Sequence, residues 1–165
     1  MPSGAKHAEG AWGIFLLTTG ATVVITAVLG PDDAARNIWL FGTCVGTYMG
    51  IYITPDLDVD GGNISYKFVR KRFGRVGHWG WKGYWRDYAR RHRHRGASHR
   101  LIIGTAGRWS YMGAYGGWFV GGLVLLGLWL TGVIELLPYI LWFMAAVFTG
   151  NVIQDAFHTF MDRWF

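Results

Sequence analysis

Four stretches of this chain carry almost no charge and approach or reach the length of a bilayer crossing, and no other feature restricts its fold as much. The first, WGIFLLTTGATVVITAVL from Trp12 to Leu29, has no ionisable residue. It approaches the roughly 20 apolar residues that a helix needs to cross a hydrocarbon core of about 30 Å. The second, IWLFGTCVGTYMGIYI from Ile38 to Ile53, is uncharged but shorter, so it spans only with little tilt or with help from its flanks. The third is YMGAYGGWFVGGLVLLGLWL, Tyr111 to Leu130, and the fourth covers 136–157 through PYILWFMAAVFTGNVI. The first and third lack the polar face that a globular surface helix shows at a 3.6-residue period. Lipid is therefore the expected solvent.

The expected fold class is all-α. Residues 1–165 form one membrane domain, a four-helix transmembrane bundle with spans at 12–29, 38–53, 111–130 and 136–157. A long basic cytoplasmic loop, 54–108, joins helices two and three. The opening MPSGAKHAEG and the GPDDAARN after Leu29 show no secretory cleavage pattern, which makes the first span a retained one. Cys44 stands alone within the second block, so no cysteine cluster is available, and it reads as a small packed residue.

Charge orients the bundle. Of the 16 Lys and Arg residues, thirteen fall between Lys67 and Arg108, with Asp87 the single acid among them. The other two connections hold Asp32, Asp33 and Arg36, and Glu135. An excess of cations marks the cytoplasmic side, and four spans return both termini to it. One membrane face then collects His7, the residues after span two, the histidine-rich run before span three and the end of span four. Gly42, Gly46 and Gly50, and again Gly113, Gly117 and Gly121, repeat at four-residue spacing. Small residues so spaced let helix backbones touch, within one chain or between copies in a homo-oligomer.

Three motifs on that face carry chemistry. ITPDLDVDGG ends the second block and places Asp56, Asp58 and Asp60 two apart, a spacing that puts them on one side of an extended chain. It also opens like a calcium loop, D-x-D-x-D-G through Gly61, but the twelfth position is Lys67 where such a loop needs a glutamate. GNVIQDAFHTFMDRWF sets Asn151, Asp155, His158 and Asp162 on one helical stripe, which should face protein or water rather than lipid. HRHRGASHR packs His92, His94 and His99 among arginines. The surrounding charge disfavours imidazolium and leaves neutral imidazoles as ligands, and the RGAS turn folds His94 and His99 toward one point.

MPSGAKH at the start, PDLD after the second span, YWRDYARRHRHRGASH followed by GTAGR, and the late DAFH occur in that order over nearly the whole chain. In these the sequence resembles a family of small prokaryotic metal-binding membrane proteins whose function is not established. More distantly it resembles membrane-bound metal-dependent hydrolases that share an early histidine, PD-x-D and HRG-x-x-H. The resemblance implies metal ligation by His7, Asp56, Asp58, His94, His99, Asp155 and His158, in the cytoplasmic (inner) membrane of a prokaryote. The expected topology, independent of any family, brings the same residues to one face. His92 and the extra RHR before the motif depart from the family pattern.

Imidazoles and carboxylates without cysteine suit zinc first, and manganese or iron(II) as well, with enough ligands for one or two ions. Paired ions are the usual device for hydrolysing phosphate esters, and Arg95 and Arg100, with Arg91 and Arg93 near them, offer bidentate phosphate contacts. The expected activity is therefore a metal-dependent hydrolase acting on a phosphoester at the cytoplasmic membrane interface. The alternative is a non-enzymatic protein in which the metal clamps loop to helix ends. No base-and-orienter trio accompanies Ser98, so water is the expected nucleophile. Lys67, Arg70, Lys71, Arg72 and Arg75 with interleaved aromatics read as a helix lying on anionic head groups, anchored by Trp79, Trp81 and Trp85. The same composition suits a nucleic-acid surface, but no nucleic-acid fold signature accompanies it.

Overall fold

The computed structural model describes residues 4–30, 32–58, 63–92 and 100–164, with the side chains of residues 4–8, 58, 118, 119 and 164 outside that description. The described chain is all-α. Six helices follow one another: α1 (Gly4–Leu29), α2 (Ala34–Tyr52), α3 (Ile64–Arg91), α4 (Leu101–Met112), α5 (Trp118–Leu130) and α6 (Leu137–Trp164). A 3-10 turn, Pro55–Asp58, holds the PDLD motif between α2 and α3. Asp33 and Asn63 start α2 and α3 by accepting hydrogen bonds from the backbone N–H of Arg36 and Tyr66, the usual work of an N-cap carboxylate or amide.

The centre of the fold is the seam between α2 and α6. A Cβ on Gly46 would run into the carbonyl of Val147, and one on Gly150 into the carbonyl of Thr43. Gly42 lies against Ala146 and Gly50 against Gln154, so the two helices run parallel with their backbones in contact. The first glycine triad thus serves close helix approach. In the second triad, nothing lies within 4 Å of a Cβ built on Gly121. α1 runs antiparallel to α6, since Gly10 meets Phe157 and the Gln154 amide donates to the carbonyl of Ala11 at 2.8 Å. α4 is antiparallel to α6 as well, with Trp109 beside both Phe148 and Asn151.

Among the described residues, two helices are long and apolar enough to cross a membrane, Glu9–Leu29 and Ile134–Arg163. The pair Leu101–Gly117 and Val120–Leu130, bent by 67°, raises the number to three if it forms one span. The expected four-span count is not reached on these criteria, because α2 begins with Arg36 and Asn37 and is diluted by glycine and threonine. The third block, expected as one continuous helix, is broken by a π-helical turn at Gly113–Gly117 in which Gly116 sits at φ 128°. α5 beyond the break makes no substantial contact with another described helix, and Leu123, Leu126 and Trp129 are exposed on it.

The connection 54–108, expected as a loop, is largely helical. α3 reverses at Gly74, whose φ of 67° and ψ of −158° are open to glycine and costly to other residues. The reversal brings the Trp81 indole to within 2.8 Å of the Ser65 hydroxyl, sixteen residues away, where a straight helix would separate them by about 24 Å. The second arm buries its aromatics in a cluster of Trp85, Tyr88, Tyr66, Tyr111, Leu57 and Ile53. Trp85, expected at head-group depth, is instead fully buried and stacked on Tyr111 at 5.6 Å. Trp79 remains 79% exposed.

Candidate metal centre

The polar stripe of α6 faces protein along its length. Asn151, buried, accepts from the Trp109 indole at 3.3 Å and donates its amide to the carbonyl of Gly46. One turn on, Asp155 is buried with one carboxylate oxygen, Oδ2, held by both the Arg108 guanidinium and the Thr105 hydroxyl. Its other oxygen, Oδ1, is buried and has no hydrogen-bond partner among the described residues. Arg108 is itself fully buried. A charge removed from water in this way persists only when paired, so Arg108 and Asp155 lock α4 to α6.

The next turn of α6 carries His158, which is 8% exposed. Its Nε2 lies 3.3 Å from Asp56 Oδ1 in the PDLD turn and 3.6 Å from Asp162 Oδ2 on its own helix. The turn is fixed from the other side, where the Asn63 amide donates to the carbonyl of Asp56 at 2.9 Å and Leu57 is fully buried. A tetrahedral ion with ligand bonds of about 2.0–2.2 Å sets neighbouring donors roughly 3.4 Å apart. The two separations around His158 match that spacing. One oxygen of Asp155 is held by Arg108 and Thr105 while its other, buried, lacks a described partner, the pattern of a metal-facing carboxylate oriented from behind. Nitrogen and oxygen donors without sulfur suit zinc, manganese or iron(II). Among the described residues, no group of three or more His, Cys, Asp or Glu side chains is arranged to hold an ion on its own.

Of the residues singled out in the sequence, Asp56 and His158 are thus brought together, with Asp155 one turn away. The side chains of His7 and Asp58, and residues His94, His99 and Arg95, lie outside the described residues. For His7 the backbone is described. His7 sits in α1 one turn before Ala11, and the antiparallel run against Gln154 and Phe157 carries it to the level of His158. α4 starts at Leu101, one turn before Thr105, whose hydroxyl reaches Asp155. Arg100 is exposed at that start. His92 turns away: its Nδ1 lies 3.0 Å from the Tyr88 carbonyl and its ring stacks on Tyr88 at 4.1 Å.

Sequence reasoning gave no role to Arg108 and Thr105. Both belong to GTAGR, a motif legible in the chain; what it touches is decided 47 and 50 residues away. Asp162 was legible on the stripe, but only the fold shows that it reaches the same imidazole as Asp56.

A family model described as uncharacterized metal-binding protein (DUF2227) matches residues 2–163. No curated protein and no solved structure matches the chain.

Proposed function

The chain belongs to that family of metal-binding proteins, and from this premise we propose that its metal centre is built on Asp56, Asp155, His158 and Asp162. We propose that His7, Asp58, His94 and His99, which the sequence pattern assigns to the same centre, complete the shell. The observation that carries this reading is the His158 imidazole between two carboxylates from two different elements, 3.3 and 3.6 Å away. Zinc is the first choice of ion, and manganese and iron(II) fit the same donors.

We further propose that the centre lies at the cytoplasmic face of a prokaryotic inner membrane. α1, α2, the bent α4–α5 pair and α6 then cross in alternating directions, with both termini cytoplasmic. Support comes from the two apolar helices and from α2, whose 19 residues reach about 28 Å alongside the α6 span. The chemistry proposed is hydrolysis of a phosphoester presented at that interface. A bound divalent ion supplies Lewis acidity and a more acidic water. The chain's own contribution is to orient: Arg108 and Thr105 aim Asp155, and Arg95 and Arg100 hold the phosphate.

The alternative, a metal that only ties the PDLD turn to α6, is favoured by the origin of the donors, since Asp56 and His158 belong to separate elements. Metal content per chain of detergent-purified protein decides the first step, comparing wild type with Asp56→Ala, His94→Ala and His158→Ala. Near-stoichiometric metal lost in all three variants supports a shared centre, and its absence from wild type after reconstitution with zinc or manganese overturns it. Metal-dependent turnover of a generic aryl phosphodiester, lost in Arg100→Gln with metal retained, supports the hydrolase. Full metal with no turnover, and a melting temperature that falls on chelation, supports the clamp.

A further inference from the structure

On the far side of the PDLD turn, the end of α2 and both arms of the α3 hairpin enclose an open apolar groove of about 470 Å³, within the range of roughly 300–1,000 Å³ usual for ligand sites. Met49 and Tyr52 form one wall, Phe68 and Val69 the second and Trp81 the third. The Ser65 hydroxyl and the Trp81 indole at its edge are bonded to each other. An occupant therefore gains almost entirely from apolar burial, and it must itself be apolar.

We propose that this groove takes an acyl chain of an anionic glycerophospholipid, with the phosphate held at the hairpin tip. Ser65, Phe68, Val69 and Arg72 follow one another at i, i+3, i+4 and i+7, so one face of the first arm leads from the groove to an exposed arginine. Arg75 follows directly after the Gly74 reversal, and Lys67, Arg70 and Lys71 flank the arm, all exposed. The tip itself exposes Phe73, Val76 and Trp79 at 63%, 82% and 79%, the mixture of aromatic and cationic side chains that settles at head-group depth. The groove opens beside the α2 end that lies along the α6 span, which places chain and head group at the two depths a lipid requires. The chain's own undescribed segments do not supply the occupant: 1–3, 59–62 and 93–99 each contain at most one large apolar residue.

The inference rests on the membrane placement proposed above and not on the metal. It is tested by native mass spectrometry of the full-length protein in mild detergent, delipidated and then titrated with phosphatidylglycerol or phosphatidylcholine. Expected is one tightly retained phosphatidylglycerol per chain, with about ten-fold weaker retention in Val69→Trp, which fills the groove. Arg72→Gln/Arg75→Gln should abolish the preference over phosphatidylcholine while leaving a retained lipid. Circular dichroism checks the fold of Val69→Trp, and Met49→Trp fills the groove from α2 if the first variant unfolds. Equal retention in the groove-filled variant and wild type overturns the proposal, as does a lipid-free dimer in which a second copy covers the groove. A protein that stays dispersed without detergent overturns the membrane placement instead, which separates the two failures.

Discussion

α6 is held in two different ways along one length. From Ala146 to Gly150 it touches α2 backbone to backbone, glycine against carbonyl, with no charge involved. From Asp155 to Asp162 it is held by a buried guanidinium, a hydroxyl and the Asp56 carboxylate facing the His158 imidazole, with Asp162 of the same helix beside it. The first region tolerates no added volume, and the second tolerates no unbalanced charge. In the membrane placement proposed above, a helix gains nothing from hiding apolar surface from its surroundings, so close approach and polar groups without an alternative partner would be what fastens it.

The largest effect is expected at the polar end. Arg108→Leu leaves the Asp155 carboxylate buried without its cation, at a cost of about 3–5 kcal/mol in thermal or denaturant unfolding in detergent. Adding Asp155→Leu to it should recover much of that loss, and a single variant as stable as wild type would show that the pair does not fasten α4 to α6. At the seam, Gly46→Leu forces the two backbones apart and should cost about 3 kcal/mol, the upper end of overpacking. Gly121→Leu, with open space around it, should change stability by less than about 0.5 kcal/mol; a comparable loss there would mean that α5 packs on a second copy.

Smaller effects sharpen the distinction. Gly74→Ala places a Cβ at a φ and ψ open essentially to glycine alone and should cost about 1–3 kcal/mol, reported by unfolding and by faster hydrogen exchange of the α3 amides. Asp56→Asn keeps the shape of the PDLD turn and removes one charge facing His158, so bound metal should fall while the metal-free protein loses less than about 1 kcal/mol. If the metal-free protein instead melts far below wild type, the Asp56–His158 contact belongs with the fastening of the fold rather than with an ion.

The helical class was legible in the sequence because long uncharged runs point to a lipid environment, in which a single segment has one local way to satisfy its backbone hydrogen bonds, the helix. The chemistry-bearing residues of α6 were legible for a similar reason: offsets of three and four put Asn151, Asp155, His158 and Asp162 on one stripe whatever they face. Periodicity is a property of one element, and it can be read along the chain.

What lies across from that stripe is a property of two elements. Both glycine triads have the same spacing, yet Gly42, Gly46 and Gly50 meet α6, which offers Ala146 and Gly150 at the matching level, while Gly121 has open space around it on α5 beyond the break at Gly113–Gly117. Trp85 and Trp79 sit in one aromatic-basic run, and the Gly74 reversal sends one into the core and the other to the tip. Arg108 looks like one more cation of the basic connection until α4 is laid against α6, where low dielectric and the lack of water make Asp155 its necessary partner.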